Sequence, residues 1–239
     1  MQPYLKRMLL DLSTEPYRAT GYVNYRWARG KLGGDPIFPA LIQHACLPSG
    51  ARLLDLGCGR GLLASWLLGA ERLMEDGVWT GSVAPPKGLS FRGIELMGRE
   101  ADCGNRALQP LYGKRVQLSG GDMRDGSFED VDVITILDVL HYIPYGEQNR
   151  LLDRIRASLS TDGLFLTRIG DASAGARFAF SQAVDRTMSF IQGHRLPRMW
   201  CRPLAAWTAG LKQRGFVVDA LPMSMGTPFA NVMLVARAT

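Results

Sequence analysis

The chain has 239 residues, of which 46% are hydrophobic and 21% charged, a composition that excludes a disordered or low-complexity polypeptide and suits a globular core of one large or two small domains. The longest apolar stretch near its middle, GLLASWLLGA at 61–70, is far short of the roughly 20 residues that cross a bilayer, and no signal-peptide pattern opens the sequence, so a cytoplasmic location is expected. Four cysteines and three histidines give neither a C-x-x-C pair nor a metal-ligand spacing, and the net charge of +6 is spread without basic runs or interleaved aromatics. Free thiols are expected, and neither a metal nor a nucleic-acid partner.

In chain order, MQPYLKRMLLDL at 1–12 is an amphipathic helix candidate with Lys6 and Arg7 beside Leu5, Met8, Leu9 and Leu10. It reads as a lid or a helix docked on the core, with weak peripheral membrane contact as the other reading. YRATGYVNYRWARGKLGGDP at 17–36 is rich in Tyr, Trp and Arg, so residues 1–36 are expected as a helical cap and 37–239 as the main domain. Apolar β-type runs follow at Arg52–Leu56, Phe91–Ile94, Val116–Leu118, Val131–Leu137 and Leu164–Thr167. Helical patterns separate several of them, the clearest being NRLLDRIRASLS at 149–160, stopped by TDG. Segment 171–203 after the fifth run is expected to cover the carboxyl edge of the sheet, with a helix over 177–191 whose Phe178, Val184 and Phe190 line a pocket or pack. FVVDAL at 216–221 and NVMLVAR at 231–237 leave no room for a helix between them and predict an antiparallel hairpin. The fold class is therefore α/β: a doubly wound, mostly parallel seven-stranded sheet with an antiparallel last strand.

The stretch LLDLGCGRG at 53–61 places Gly57, Gly59 and Gly61 at the carboxyl end of the first strand and the amino end of a helix, where open α/β sheets bind ligands. A dinucleotide site of the G-x-G-x-x-G type would need glycine at 62, where this chain has Leu62. Asp55 at the strand end can accept from an ammonium group or from backbone amides of the turn, which suits a ligand with an amino acid portion better than a pyrophosphate. Glu95, at the tip of FRGIEL, is placed to accept both hydroxyl protons of a ribose. The 40 positions between these two acids imply an insertion, and EDGVWTGSVAPPKGLS at 75–90 has loop composition; Trp79 within it is discounted as a substrate contact. In SGGDM at 119–123, Asp122 can accept from an exocyclic amine, or can cap its turn. An adenosine joined to an amino acid is S-adenosylmethionine.

Over roughly residues 37–239 the sequence resembles the class I S-adenosylmethionine-dependent methyltransferases, through LLDLGCGRG, GIEL at 93–96, GDM at 121–123, VDVITILDVLHYI at 131–143 and TDGLFLTRIG at 161–170. That resemblance implies a Rossmann-like fold and methyl transfer. It would place Asp55, Gly57 and Gly59, with Cys58 between them, at the methionine part, and Glu95 with Leu96 at the ribose. Asp122 and Met123 would meet the adenine, and Leu137 and Asp138 would border the transferring methyl. His141 and Asp138 follow the fourth strand, where a base would stand if the acceptor arrives protonated, and Tyr142 is a candidate wall; a packing role for His141 stays open. At a finer level ARGKLGGDP, LDVLHYI, GHRLPRMWCRP and GTPFANVML resemble methyltransferases of bacterial aryl-polyene or fatty-acid-like pathways. This implies an aromatic or polyketide acceptor, presented on an acyl carrier protein whose acidic surface would suit Lys6, Arg7, Arg195, Arg198 and Arg202, although a solvated basic surface accounts for these residues equally well; His194 is a candidate acceptor contact or a rim salt-bridge residue. A nicotinamide-dependent oxidoreductase and a non-catalytic cofactor-binding module remain as alternatives.

Overall fold

In the computed structural model, which describes residues 1–44, 46–175, 199–223 and 230–239, the apolar runs form a seven-stranded sheet in the order β3-β2-β1-β4-β5-β7-β6. The strands are β1 (Arg52–Leu56), β2 (Ser90–Glu95), β3 (Val116–Gly120), β4 (Val133–Leu137), β5 (Leu164–Gly170), β6 (Phe216–Pro222) and β7 (Asn231–Ala238). β1 pairs with β2 and β2 with β3 in parallel, whereas β7 runs antiparallel to both β5 and β6, as the tight spacing of the last two runs requires. The chain divides into two compact units, Met1–Val133 and Ile134–Thr239.

In the first unit, helices α1 (Pro3–Thr14), α2 (Tyr22–Gly34) and α3 (Ile37–Gln43) precede β1, with a 3₁₀ segment at Glu15–Thr20 between the first two. Leu5 and Leu9, one helical turn apart, are buried, so the apolar face of α1 packs inward, against α4 (Leu62–Glu75). Two close approaches fix that packing: Ser65 Oγ donates to Ser13 O at 2.7 Å, and a Cβ added at Gly69 would lie 3.3 Å from Leu9 Cδ1. No helix among the described residues is long and apolar enough to cross a membrane. Helix α5 (Gly98–Tyr112) connects β2 to β3.

The fourth β run starts two residues later than expected, at Val133. Asp132 instead ties the base of β1: its amide donates to Arg52 O, and its carboxylate accepts from Arg52 N and the Arg52 guanidinium.

In the second unit, α6 (Tyr145–Ser158) begins four residues earlier than its apolar pattern, because Pro144 already stands at the N-cap with its carbonyl accepting from Gln148 N. Leu151, Leu152 and Ile155 form its buried face. The helix stops where Leu159 turns extended, and Asp162, at φ 66°, takes the chain into β5. Helix α7 (Leu204–Lys212) buries Trp207 and Leu211, and its first amide, Leu204 N, donates to Asp171 Oδ1 at 2.9 Å. The helix expected over 177–191, with Phe178, Val184 and Phe190, lies outside the described residues, as do His194, Arg195 and Arg198.

Candidate active site

The turn after β1 has three left-handed glycines, with φ of 80° at Gly57, 54° at Gly59 and 72° at Gly61. The space around them differs. A Cβ on Gly61 would stand 2.9 Å from Leu118 Cδ1 and 3.0 Å from Leu108 Cδ1, so this glycine lets α4 close on its neighbours. A Cβ on Gly59 would meet nothing within 4 Å; this is the backbone that a ligand can approach. Ile94 O accepts from Gly57 N at 2.8 Å and from Cys58 N at 3.3 Å, which fastens the turn to β2.

Glu95 closes the arrangement. Its buried carboxylate accepts from Gly59 N at 2.9 Å through Oε2 and from Met97 N at 3.1 Å through Oε1, joining the glycine turn to the start of α5. A carboxylate offers about four lone-pair sites, so two remain for further donors. Asp55 is buried at the end of β1. Leu96 and Met97, directly after Glu95, are large apolar residues left exposed, Leu96 at 73%. Burial first, then the carboxylates of Asp55 and Glu95, push the Cys58 thiol pKa far up, so it stays an uncharged packing group. Its sulfur fills the space over Gly93, where an added Cβ would lie 2.5 Å away.

The turn after β3 hangs from the same acid through Gly121 N, which donates to Glu95 O at 2.9 Å. Asp122 does cap this turn, accepting from Arg124 N at 2.8 Å, and its carboxylate also takes the Arg124 guanidinium on both oxygens. The Arg124 pairing holds the carboxyl below its usual range. Met123 is half-buried beside it. Asp55, Gly57, Cys58, Gly59, Glu95 and Leu96 thus come together around one turn, and Asp122 and Met123 join them through the backbone of Glu95.

In the second unit, Leu137 is half-buried and Asp138 sits at φ 62°, a left-handed conformation that a non-glycine residue adopts only when held. The holder is Arg168 of β5, 3% exposed, whose Nε reaches Asp138 Oδ1 at 2.6 Å and whose terminal nitrogen reaches Oδ2. This bidentate pair fixes the Asp138 carboxylate in place at the end of β4. His141 lies in a 3₁₀ turn, Leu140–Tyr142, half-buried, with its ring 4.2 Å from that of Tyr142. Gln148, fully buried, fixes that turn: its amide nitrogen shares its two hydrogens among Leu140 O, Ile143 O and Trp200 O, and its oxygen accepts from Arg202 Nε. His141 O in turn accepts from Trp200 N at 2.8 Å. Arg202 is engaged with Gln148, Asn149 and Tyr145 O, so it serves this scaffold.

Sequence reasoning missed Arg168 and Gln148. A signal for the first was present: LFLTRIG at 164–170 carries one arginine inside an otherwise apolar strand.

The open backbone at Gly59, the spare lone pairs of buried Glu95 and the exposed apolar step at Leu96 fit a ligand that joins an amino acid, a ribose and a flat base. A family model described as a methyltransferase domain matches residues 27–221. No curated protein matches the sequence. Among solved structures, magnesium protoporphyrin IX methyltransferase from Synechocystis PCC 6803 with bound SAH is similar at 16% identity and a TM-score of 0.56, over 85% of this chain and 80% of that one. The pyocyanin biosynthetic protein PhzM is similar at 19% identity and 0.65, over 96% of this chain and 62% of that one. Geranyl diphosphate C-methyltransferase from Streptomyces coelicolor A3(2) is similar at 15% identity and 0.60, over 84% and 76%. At these identities the likeness establishes a shared fold.

Proposed function

The chain belongs to the methyltransferase-domain family, and from that premise we propose that it transfers the methyl group of S-adenosylmethionine to a small acceptor. The observation that carries the reading is the glycine turn closed by Glu95: an open backbone at Gly59 beside a buried carboxylate with two lone-pair sites to spare. Glu95 accepts the ribose hydroxyls, Asp55 faces the amino acid end, and Leu96 with Met123 covers the base. Asp122, occupied by Arg124, holds the adenine-side turn more than it reads the base. The cofactor supplies a methyl group on a cationic sulfur, so the protein's work is to bring an acceptor into line and exclude water.

His141 takes the proton of an acceptor that arrives as a phenol or other weak acid. The acceptor is aromatic or polyketide-like, and an acidic acyl carrier protein presents it. Support for this finer reading is the resemblance of ARGKLGGDP and LDVLHYI to aryl-polyene-type methyltransferases and the excess of basic residues in the chain. Membership of the family sets the nicotinamide oxidoreductase aside.

Calorimetry with S-adenosylmethionine, followed by transfer of a labelled methyl to phenolic acids, fatty-acid-like acceptors and acylated carrier proteins, tests the proposal. Absence of binding removes the cofactor reading; binding without transfer to any of the three classes removes the acceptor reading and favours a non-catalytic module. With an accepted substrate, His141→Ala lowers turnover by about 10² to 10⁴ and flattens the rate profile near neutral pH. Recovery of activity in His141→Asn with an unchanged profile would reassign His141 to packing.

A further inference from the structure

Arg60 lies between Gly59 and Gly61, both left-handed, in a stretch where neither a strand ladder nor a helix fixes the peptide. Two glycine neighbours give this segment more freedom than any other residue type would. Its surroundings remove that freedom from four sides. The Arg60 carbonyl accepts from Tyr17 Oη at 2.8 Å, and Tyr17 is fully buried, so no water competes. Burial also pushes the Tyr17 phenol pKa up, which keeps it a donor. The same carbonyl lies against α5 at Gly104, where a Cβ would stand 2.6 Å from Arg60 O. The Arg60 guanidinium donates to Asn24 Oδ1 at 2.8 Å, pairs with Glu100, and stacks over the Trp27 ring at 4.5 Å. Backbone and side chain of one residue are therefore gripped by residues 17–27, which precede the first strand by at least 25 positions, and by α5.

We propose that Arg60 is a positioning residue, clamped by Tyr17, Asn24, Trp27 and Glu100, that holds the glycine turn in its ligand-ready form and makes cofactor affinity depend on the N-terminal helical segment. The inference rests on the cofactor reading above. A turn already fixed loses little further freedom on binding, so the clamp acts on affinity through preorganisation.

Titration calorimetry with S-adenosylhomocysteine, together with melting of the ligand-free protein, tests it. Arg60→Met weakens binding about tenfold or more, the loss expected when charge-assisted hydrogen bonds go. Arg60→Lys recovers part of that loss, because one ammonium cannot meet Asn24, Glu100 and Trp27 together. Tyr17→Phe, which removes a single O–H, weakens binding roughly threefold to tenfold. Arg52→Met breaks the 2.9 Å pair with Asp132 at the base of β1, outside the N-terminal segment, and serves as the structural control: affinity stays as in wild type. If Arg60→Met does not fold, Tyr17→Phe decides alone. Affinities within twofold of wild type in the Arg60 and Tyr17 variants, or an equal loss in Arg52→Met, overturn the clamp while the cofactor reading stands. A wild-type protein that binds no S-adenosylhomocysteine overturns both.

Discussion

The turns after β1 and β4 solve the same backbone problem by opposite means. The first reaches positive φ with three glycines, which leave the surface at Gly59 bare for a ligand and bring no charge of their own. The second reaches φ 62° with Asp138, accepts the strain of a non-glycine residue there, and offsets it with a bidentate pair to the buried Arg168. One turn clears its backbone of side chains; the other keeps a charged side chain at a strand end and anchors it. The two turns should therefore respond differently to substitution.

The largest effect is expected at the anchored turn. Asp138→Ala leaves a 3% exposed guanidinium without its carboxylate and should lower unfolding free energy in urea by about 3 to 5 kcal/mol, as for other broken buried pairs. Arg168→Met should cost less, because Asp138 is a third exposed and water can replace its partner; equal losses would break the assigned asymmetry. Next comes Gly61→Ala in the glycine turn: a left-handed alanine costs roughly 1 to 2 kcal/mol and its crowding against Leu118 and Leu108 roughly 1 to 3 more. Gly59→Ala, facing open space, should cost only the first part. Glu95→Ala should weaken S-adenosylmethionine binding by at least about tenfold in calorimetry, and unchanged affinity would detach the ribose from this residue.

The smallest effect concerns the base of β1. Arg52 holds the Asp132 carboxyl below its usual range, so the pair stabilises the fold above the ordinary carboxylate pKa of about 4, and that gain is lost as pH falls through the lower folded value. Asp132→Asn should thus be slightly less stable than wild type at neutral pH and converge with it on strong acidification, solvent screening keeping the difference small. A difference that persists in acid would assign it to the hydrogen bond from Arg52 N instead.

Local chemistry made half of this legible in the sequence. Near-continuous apolar runs, the glycine spacing after β1 and an acid at the tip of β2 are each written in fewer than ten consecutive residues, and the strands, the turn and Glu95 stand within two residues of where those patterns put them. The anchored pair was not legible, because Asp138 and Arg168 are 30 positions apart and only the neighbourhood of β4 and β5 joins them. The clamp on Arg60 escaped for the same reason, its partners being 43, 36 and 40 positions away at Tyr17, Asn24 and Glu100. Asp122 is an intermediate case: Asp-x-Arg places a guanidinium two residues from the carboxylate, so the sequence held the sign of its occupation.

The sulfur of Cys58 and the missing side chain of Gly93 are two halves of one volume. A methyl group at position 93 would sit 2.5 Å from that sulfur, 2.8 Å from the Cys58 Cβ and 2.6 Å from Leu118 Cδ2, so it has room only where the Cys58 side chain has first been lost or displaced and Leu118 has shifted. A larger residue at 93 is therefore accommodated most easily after a smaller one has been placed at 58. The order of substitutions, and not only their sum, is constrained by this contact.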